Sequence, residues 1–288
     1  MQDVVRFNDQ ASIMIRLIAL SLLACLAIVA QPSAALTDRD ASTPASCPPI
    51  TGLEAISDDK RFVILGEFHG TQEIPSFASA LACHLSEDRP LVLSLEIPSE
   101  RQADIDAYLV SPGDDAAKRE LLKGLFWQAR LADGRSSEAM LKLLDDTRRL
   151  IASGRRISVR ASVIDAGPLN QDLSELLMAA DWVRAATLPT DVRVLALVGR
   201  AHAGRSSRRG FRPAASHLPD DQSLRFEVLE TGGAYWACLR SGCGEQPLEA
   251  QSSPAAAGFY PATGTDFDGT FNVGREMTAS HPAITKQN

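Results

Sequence analysis

The sequence predicts an α/β domain with a mainly parallel sheet, helices on both faces of the sheet and a C-terminal antiparallel hairpin at its edge. Three observations support this prediction. Short runs of consecutive apolar residues recur along the chain, which is typical of strands buried on both faces. Segments with helical periodicity alternate with these runs, as in βαβ units. The pair Gly232-Gly233 separates the last two apolar runs, as in a hairpin turn.

The predicted elements follow one another in a regular order. Four apolar runs predict parallel strands, at residues 62–65, 91–95, 157–164 and 192–198. Helices are predicted between them, at residues 75–86, 99–110, 136–153 and 170–188, with a further helical stretch from residue 114 that is interrupted near Asp133-Gly134. The runs 224–229 and 235–239 are expected to pair as the hairpin. A single domain is therefore expected at residues 61–243.

The N-terminus predicts export. An apolar run at residues 17–30 is preceded by Arg16 and followed by small residues, which is the pattern of a cleaved secretory signal peptide. Residues 1–35 are therefore assigned to the signal, with cleavage expected near Ala35. The run is short for a membrane span. The expected location of the mature protein is periplasmic or secreted.

Other interpretations of the N-terminus stay open. Asp3 and Asp9 cancel much of the positive charge that a signal peptide needs at its start, so Met14 competes with Met1 as the initiating residue. The run Leu-Leu-Ala-Cys ending at Cys25 resembles a lipobox, and a lipid anchor there would be the protein's only membrane contact. An uncleaved helical anchor is the remaining alternative.

Two segments outside the domain have the composition of irregular chain. Residues 36–60 begin with a polar stretch rich in Ser, Thr, Ala and Pro, which favours a linker. Residues 244–288 are rich in Ala, Ser, Gly, Pro and Thr and contain few aliphatic residues. We expect this C-terminal segment to be a poorly ordered tail.

Cysteine usage agrees with export. If Cys25 leaves with the signal, four cysteines remain, and an even number in an oxidising compartment suggests two disulfides. Three pairings are possible. The short separation of Cys238 and Cys243 favours a bond between them, which leaves Cys47 to pair with Cys83. None of the spacings resembles a zinc site.

The charge distribution excludes one class of partner. The net charge is −7, and the basic residues are scattered apart from one cluster at residues 205–212. A nucleic-acid surface requires a broader basic stripe. The cluster is interpreted as a solvated loop, or as a clamp for an acidic substrate. The expected partner is a small-molecule or peptide substrate.

Ionisable side chains follow the four predicted parallel strands. Ligands of open α/β sheets bind beyond the carboxyl ends of the strands. The residues at these ends are Glu67, His69, Glu96, Asp165 and His202. Their convergence from separate strands predicts a site at this edge of the sheet.

Further residues near these ends have alternative interpretations. Glu73 lies four residues after His69, so one helical turn would bring it over the site. Asp165 could instead be a turn residue, and Glu96 could mark the exit of a strand into water. A buried carboxylate at position 96 would have to be paired or metal-bound.

The motifs at the strand ends resemble a known superfamily. Gly66-Glu67-Phe68-His69-Gly70, the Glu at position 96 and Gly199-Arg200-Ala201-His202 are similar to the two G-x-x-H motifs and the intervening strand-end Glu of the TIKI/erythromycin esterase/ChaN-like superfamily. The resemblance covers roughly residues 62–203. It implies an α/β sheet fold and one of three activities: a metal-dependent protease, a hydrolase in which a His activates water, or a haem-binding bacterial surface lipoprotein.

One motif of the superfamily is altered in this chain. The family's Arg-Asp-x-x-Met-Ala helix corresponds to Ser174-Glu175-x-x-Met178-Ala179, so the Arg is missing. If the family's Arg stabilises an oxyanion, another cation must replace it. Arg135, which follows a glycine turn and precedes a helix, is the candidate, although it could be a surface residue.

The sequence thus favours an exported hydrolase, either an esterase or a metal-dependent peptidase. His69 or His202 would act as general base, oriented by Glu67 or Glu96. Alternatively His69, His202 and Glu96 would bind a Zn²⁺, Mn²⁺ or Co²⁺ ion. The competing function is a ChaN-like haem- or iron-binding periplasmic protein, which an aromatic content of 6% disfavours. A degenerate family member with a structural role is the third class.

Overall fold

Five of the predicted apolar runs join two further strands in a seven-stranded, mainly parallel sheet. The computed structural model describes residues 46–128, 133–167, 170–187, 191–207, 210–251, 255–262 and 264–284. The described strands, of which β6 and β7 lie outside this sheet, are β1 Phe62–Glu67, β2 Leu91–Pro98, β3 Ile157–Val163, β4 Arg193–Gly199, β5 Ser223–Val228, β6 Thr231–Leu239, β7 Gly242–Ala250, β8 Gly258–Pro261 and β9 Gly269–Asn272. Within the sheet the order is β3-β2-β4-β1-β5-β9-β8, and only β8 runs antiparallel to its neighbour.

Helices cover both faces of this sheet. They are α1 Glu73–Leu85, α2 Gln102–Leu109, α3 Asp115–Leu122, α4 Glu138–Ala152, α5 Gln171–Thr187 and the short α6 Arg200–Ala203. Alternate residues of β1 serve the two faces. Val63 and Leu65 belong to the core under α1, α2 and α4, whereas Phe62 and Ile64 belong to the core under α5. The predicted fold class is confirmed.

The strand order brings the predicted site together. β1 lies directly beside β4, with Glu67 in register with Gly199, and β2 lies on the other side of β4. The carboxyl ends of parallel strands meet at one edge of a sheet. The two G-x-x-H motifs therefore start from neighbouring strands.

The predicted pairing of the hairpin is wrong in detail. β5 joins the main sheet parallel to β1, and β6 pairs with β7 in a separate two-stranded antiparallel sheet. Gly233 lies within β6 and not in a turn between two strands. Its backbone lies against Met277, and an added Cβ would be 2.0 Å from the carbonyl oxygen of that residue. The glycine pair permits the close approach of a distant segment.

The described residues between 244 and 284 do not form a poorly ordered tail. β7 completes the hairpin, while β8 and β9 extend the main sheet. The side chains of Phe259 and Phe271 lie in the core, where they contact Phe77 of α1. Sequence patterning misses these strands because a few aromatic residues, rather than a run of aliphatic ones, bury the segment.

The predicted linker also packs in part, since Thr51 exchanges backbone hydrogen bonds with Ala257 and Phe259. The signal peptide, the alternative starts at Met1 and Met14, and Cys25 lie outside the described residues. Within the described ranges, no helix combines the length and apolar character that crossing a bilayer requires.

Both predicted disulfides are present. Cys47 bonds to Cys83 of α1, with a Cα–Cα distance of 5.7 Å, and so attaches the segment before β1 to the helical layer. Cys238 bonds to Cys243, its partner across the β6–β7 ladder. Two disulfides are consistent with an oxidising compartment.

The two disulfides should differ in their contribution to stability. The Cys47–Cys83 bond closes a loop of 36 residues, and its removal in the C47S/C83S variant should lower the free energy of unfolding by about 4 kcal/mol. The Cys238–Cys243 bond closes a loop of 5 residues, and C238S/C243S should cost only about 2 kcal/mol. Urea unfolding of the two variants checks this order, and equal losses would contradict it.

Candidate active site

Glu96 lies at the centre of the site. It follows the apolar part of β2, and 7% of its surface is exposed. Its Oε2 accepts a hydrogen bond of 2.6 Å from the backbone N–H of Gly199, and its Oε1 accepts one of 3.0 Å from Nη1 of Arg135. The carboxylate is therefore paired, as a buried charge must be.

His69 lies between two carboxylates. Its Nδ1 is 3.0 Å from Oε1 of Glu67, and its Nε2 is 3.5 Å from Oε2 of Glu96. The turn after His69 depends on Gly70, which has a φ of 84°. A Cβ at this position would lie 2.1 Å from the carbonyl oxygen of Trp236, so only glycine fits.

His202 has a similar arrangement on the other side of Glu96. It lies on α6, with Nδ1 2.7 Å from Oε1 of Glu175 and Nε2 3.7 Å from Oε1 of Glu96. Glu175 is fully buried in α5 and also accepts a hydrogen bond of 2.8 Å from the backbone N–H of Ala214. The ring of Phe211 stacks at 5.8 Å on the imidazole of His202.

The carboxylate contacts fix the orientation of both imidazoles. An ionised carboxylate only accepts hydrogen bonds, so Nδ1 of each ring carries a proton and Nε2 points towards Glu96. The Nε2 of His202 lies beyond hydrogen-bonding distance of Glu96. It is therefore the ring nitrogen with room for a further ligand such as water.

The mutual contacts also shift the acidities. Burial by itself would lower the pKa of His69, but the carboxylates of Glu96 and Glu67 outweigh it and raise the pKa to about 10. Burial by itself would likewise lower the pKa of His202, but Glu175 and Glu96 outweigh it, so this pKa is raised. For Glu96, burial would raise the pKa, but His69, His202 and Arg135 lower it. Burial raises the pKa of Glu67.

Arg135 supplies a cation at the same place. Its Nε and Nη2 donate to the carboxylate of Asp133, and its Nη1 donates to Glu96. Within the described part of the chain, three of the five guanidinium N–H groups are engaged in this way, which leaves two for a ligand. The side chain is 31% exposed, so these donors are accessible from the cleft.

The cleft above these groups has a volume of about 570 Å³. Glu67, His69, Glu96, Arg135 and His202 all line it, as does the aromatic pair Phe68 and Tyr235. A volume of this size is ordinary for a small-molecule site.

Two of the predicted site residues do not join this cluster. Glu73 is buried at the start of α1, where its carboxylate accepts a hydrogen bond from the backbone N–H of Thr278 and faces Arg275. The helical turn thus directs it towards Arg275 and Thr278 and not over His69. Asp165 is exposed, accepts a hydrogen bond from the backbone N–H of Gly167 and lines a neighbouring cavity.

The site also contains residues that the sequence did not identify as functional. Glu175 stands where the superfamily's altered motif has its Asp, so that motif was the available signal. The sequence gives no signal for Asp133 beyond its place before a glycine turn, yet its carboxylate accepts hydrogen bonds from Arg135. Tyr235 belongs to β6, and no local pattern indicates that this hairpin lies beside the cleft.

The predicted metal ligands His69, Glu96 and His202 line one cleft, but their ligand atoms do not all lie within 4.8 Å of one another. Among the described residues, the group of His, Cys, Asp or Glu whose ligand atoms all lie within 4.8 Å of one another is Cys47, His84 and Glu87, and the sulfur of Cys47 is in a disulfide. His69, Glu96 and His202 form no such group.

The cleft does not fit haem well either. A haem ring needs a large apolar surface, whereas the base of this cleft consists of carboxylates, imidazoles and a guanidinium. Of the three tyrosines, only Tyr235 lines the cleft. Tyr108 is buried and donates to Asp145, and Tyr260 donates to the carbonyl oxygen of Ala256.

Residues 275–284, here called the C-terminal segment, connect the loops that carry the site. The backbone N–H of Ser280 donates to the carbonyl oxygen of Gly70, which also accepts from Trp236. The backbone N–H of Ala283 donates to Ser136, next to Arg135. One segment therefore fixes the loops of His69 and Arg135 relative to each other.

Comparison with solved structures agrees with the fold. A succinoglycan biosynthesis protein superposes with a TM-score of 0.59 at 12% identity, over 77% of this chain and 89% of that one. A protein from Bacillus cereus gives a TM-score of 0.55 at 12% identity, over 78% and 91%. An erythromycin esterase mutant in its open conformation gives 0.48 at 10% identity, over 80% and 92%.

At these identities, the first two likenesses show a common fold, as the strand-end motifs led us to expect. No protein-family model matches this chain, and no curated protein sequence matches it either.

Gly199 should be required for the geometry of the site and not for folding. Its backbone, with a φ of −56°, is open to any residue, but a Cβ would lie 3.1 Å from Nε2 of His69 and 3.3 Å from Oε2 of Glu96. In Gly199→Ala the methyl group should push these two groups apart, so the pKa of His69 should fall towards its ordinary value of about 6.5. An NMR titration of the imidazole measures this.

The matched control is Gly244→Ala, since an added Cβ there meets nothing within 4 Å. It should leave the pKa of His69 and the free energy of unfolding unchanged. A titration of His69 that is the same in Gly199→Ala and in the unaltered protein would contradict the proposed geometry.

Proposed function

We propose that this protein is an exported hydrolase that cleaves an ester or amide by activating water with a histidine. The observation that carries the proposal is the pair of imidazoles, each with Nδ1 on a buried carboxylate and Nε2 directed at Glu96, beside a cation with free donors. A carboxylate-backed histidine is a usual general base. Hydrolysis of a carbonyl needs water and a group that accepts its proton, and a nearby cation can stabilise the charge that develops on the carbonyl oxygen.

His202 is assigned as the general base. Its Nε2 is 3.7 Å from the nearest oxygen of Glu96, which leaves this nitrogen available to a water molecule in the cleft. Glu175 holds Nδ1 and stabilises the imidazolium that forms when the water loses its proton. The proton therefore moves from the attacking water to Nε2 of His202.

His69 and Arg135 are assigned to stabilise the negative charge that develops on the carbonyl oxygen of the substrate. Both ring nitrogens of His69 face carboxylates, which keeps the imidazole protonated. The two free N–H groups of Arg135 can donate to a carbonyl oxygen that gains charge during attack. In this way Arg135 supplies the cation that the altered motif lacks.

Export is part of the proposal. The signal-peptide pattern of residues 1–35 and the two disulfides favour a periplasmic or secreted protein. A hydrolase outside the cytoplasm would act on exogenous or envelope-derived esters and amides.

Histidine variants test the function. His202→Ala should lower kcat for hydrolysis of 4-nitrophenyl esters by roughly 10²–10⁴, the usual contribution of a positioned acid or base. His69→Ala should cause a loss of similar size. His84→Ala is the control, because His84 contacts the carbonyl oxygen of Pro48 far from the cleft, and it should keep full activity. Full activity in His202→Ala would refute the assignment of this residue.

The pH profile tests the role of Glu175. A histidine must be neutral to accept a proton as general base. As pH rises through the pKa of His202 in the substrate-free enzyme, kcat/KM should therefore increase. Glu175 and Glu96 raise this pKa. Glu175→Gln keeps the side-chain shape but removes the charge, which lowers that pKa. The rising limb should move to lower pH in this variant, whereas the exposed control Glu120→Gln should not move it. An unchanged limb in Glu175→Gln would show that His202 is not the group that titrates.

A further inference from the structure

A second cavity lies at the opposite edge of the sheet from the catalytic cleft. It has a volume of about 470 Å³, and its lining includes Pro90, Arg156 and Val192, which directly precede β2, β3 and β4. It therefore lies at the amino ends of these parallel strands and is called here the amino-end pocket. The described residues that line it do not line the catalytic cleft, so a ligand here is independent of the proposed hydrolase function.

Positive charge is concentrated at the amino-end pocket. Four arginines line it, namely Arg155, Arg156, Arg160 and Arg184. Among the described residues of the lining there is no Asp or Glu, although the chain as a whole has a net charge of −7. Two carboxylates behind the lining compensate in part, because Glu87 lies 3.4 Å from Arg155 and Asp181 pairs with the arginines at positions 160 and 184. Two carboxylates thus face four guanidinium groups, and a recess with such an excess of one charge attracts anions.

The guanidinium groups are held from two sides. Asp181 is 6% exposed, and it binds Arg184, one turn further along α5, through Oδ1 and faces Nε of Arg160 on β3 at 3.6 Å through Oδ2. One buried carboxylate therefore orients two arginines from different elements. Arg156 is exposed, and in the described part of the chain it donates one hydrogen bond, of 3.0 Å, to the backbone carbonyl oxygen of Asp88. Its remaining four N–H groups are available to a ligand.

The floor of the amino-end pocket is apolar. Val92 of β2, Ala185 of α5 and Val192 line it, and all three belong to the core under α5. Val92 and Ala185 are each 8% exposed, so they form the floor of the recess and not its rim. The hydrocarbon stems of the arginines add to this surface. A ligand that matches both parts has a negative head group and an apolar body.

We infer that the amino-end pocket binds a small organic anion, a phosphate or sulfate group carried on an apolar body. The head group would accept hydrogen bonds from guanidinium groups that reach it from β3 and from α5. A tetrahedral group with three free oxygens suits donors on two sides better than a planar carboxylate does. The apolar body would cover Val92, Ala185 and Val192 and remove them from water. The volume of the recess is that of an ordinary small-molecule site.

NMR titration with 1-naphthyl phosphate provides the test. The backbone amide signals of Ser158 and Ala185 report on this pocket, so binding of the probe in the catalytic cleft is not mistaken for it. These signals should give a Kd at least roughly tenfold lower for 1-naphthyl phosphate than for inorganic phosphate, because the ring buries apolar surface. The uncharged 1-naphthol should bind at least roughly tenfold more weakly than the phosphate ester. Signals that do not move with 1-naphthyl phosphate would overturn the inference, and so would equal Kd values for the three probes.

An arginine variant tests the head-group contact. Arg156→Gln removes a charge whose side chain is exposed, so the fold should be kept while the Kd for 1-naphthyl phosphate rises roughly tenfold. Arg119→Gln is the matched control, because it removes the same charge from an exposed position on α3 that does not line the pocket. It should leave the Kd unchanged. A Kd that is the same in Arg156→Gln and in the unaltered protein would refute the role of this arginine and with it the anion site.

A blocking variant tests the recess itself. Ser158 is exposed on β3 and lines the pocket, so Ser158→Trp should fill the space, keep all four arginines and abolish the shift of the Ala185 signal. Val110→Trp is its control, since Val110 is 86% exposed and lies outside the lining, and it should bind the probe normally. Undiminished binding in Ser158→Trp would contradict the inference.

Vesicles distinguish a soluble ligand from a lipid head group. In sedimentation with vesicles of phosphatidylglycerol, the unaltered protein and Arg156→Gln should bind equally little, because the head group of a packed lipid does not enter a recess at the sheet edge. Sedimentation that Arg156→Gln abolishes would assign the same arginines to a membrane surface and overturn the small-molecule ligand.

Discussion

The buried carboxylate of Glu96 is the constraint on which the site depends. A charge that is removed from water must be compensated, and the compensation here comes from several separate parts of the chain. The backbone N–H of Gly199 arrives from β4, Arg135 from the loop before α4, His69 from the loop after β1 and His202 from α6. The same charge that holds these elements together also sets the acidities of the two imidazoles. Structure and chemistry are therefore coupled at a single residue.

A second level of support lies outside this cluster. Both imidazoles are held at Nδ1 by carboxylates that are themselves buried, Glu67 on β1 and Glu175 on α5. The C-terminal segment then joins the loops of His69 and Arg135 through backbone hydrogen bonds to Gly70 and Ser136. Loops fixed at both levels lose little further entropy when a ligand binds, which is what a preorganised site requires.

Local patterns predicted the elements better than their pairing. A continuous apolar run such as β1 or β4 is recognisable by itself, because a strand buried on both faces must be apolar throughout. The partner of β5 was not recognisable, since pairing is decided by residues far apart in the chain. The strands β8 and β9 were missed for a related reason: Phe259 and Phe271 bury them against Phe77, and two aromatic residues among glycines and alanines form no periodic pattern.

The sequence by itself determined which residues end the central strands, and hence that Glu67, His69, Glu96 and His202 share one edge of a parallel sheet. Tertiary structure alone decided their relations, because strand order places β4 between β1 and β2 and so sets Gly199 beside Glu96. It also replaced Glu73 and Asp165 by Glu175 and Asp133 as the supporting carboxylates. The direction of a side chain at a loop or helix start depends on what the element packs against, and those neighbours are distant in sequence.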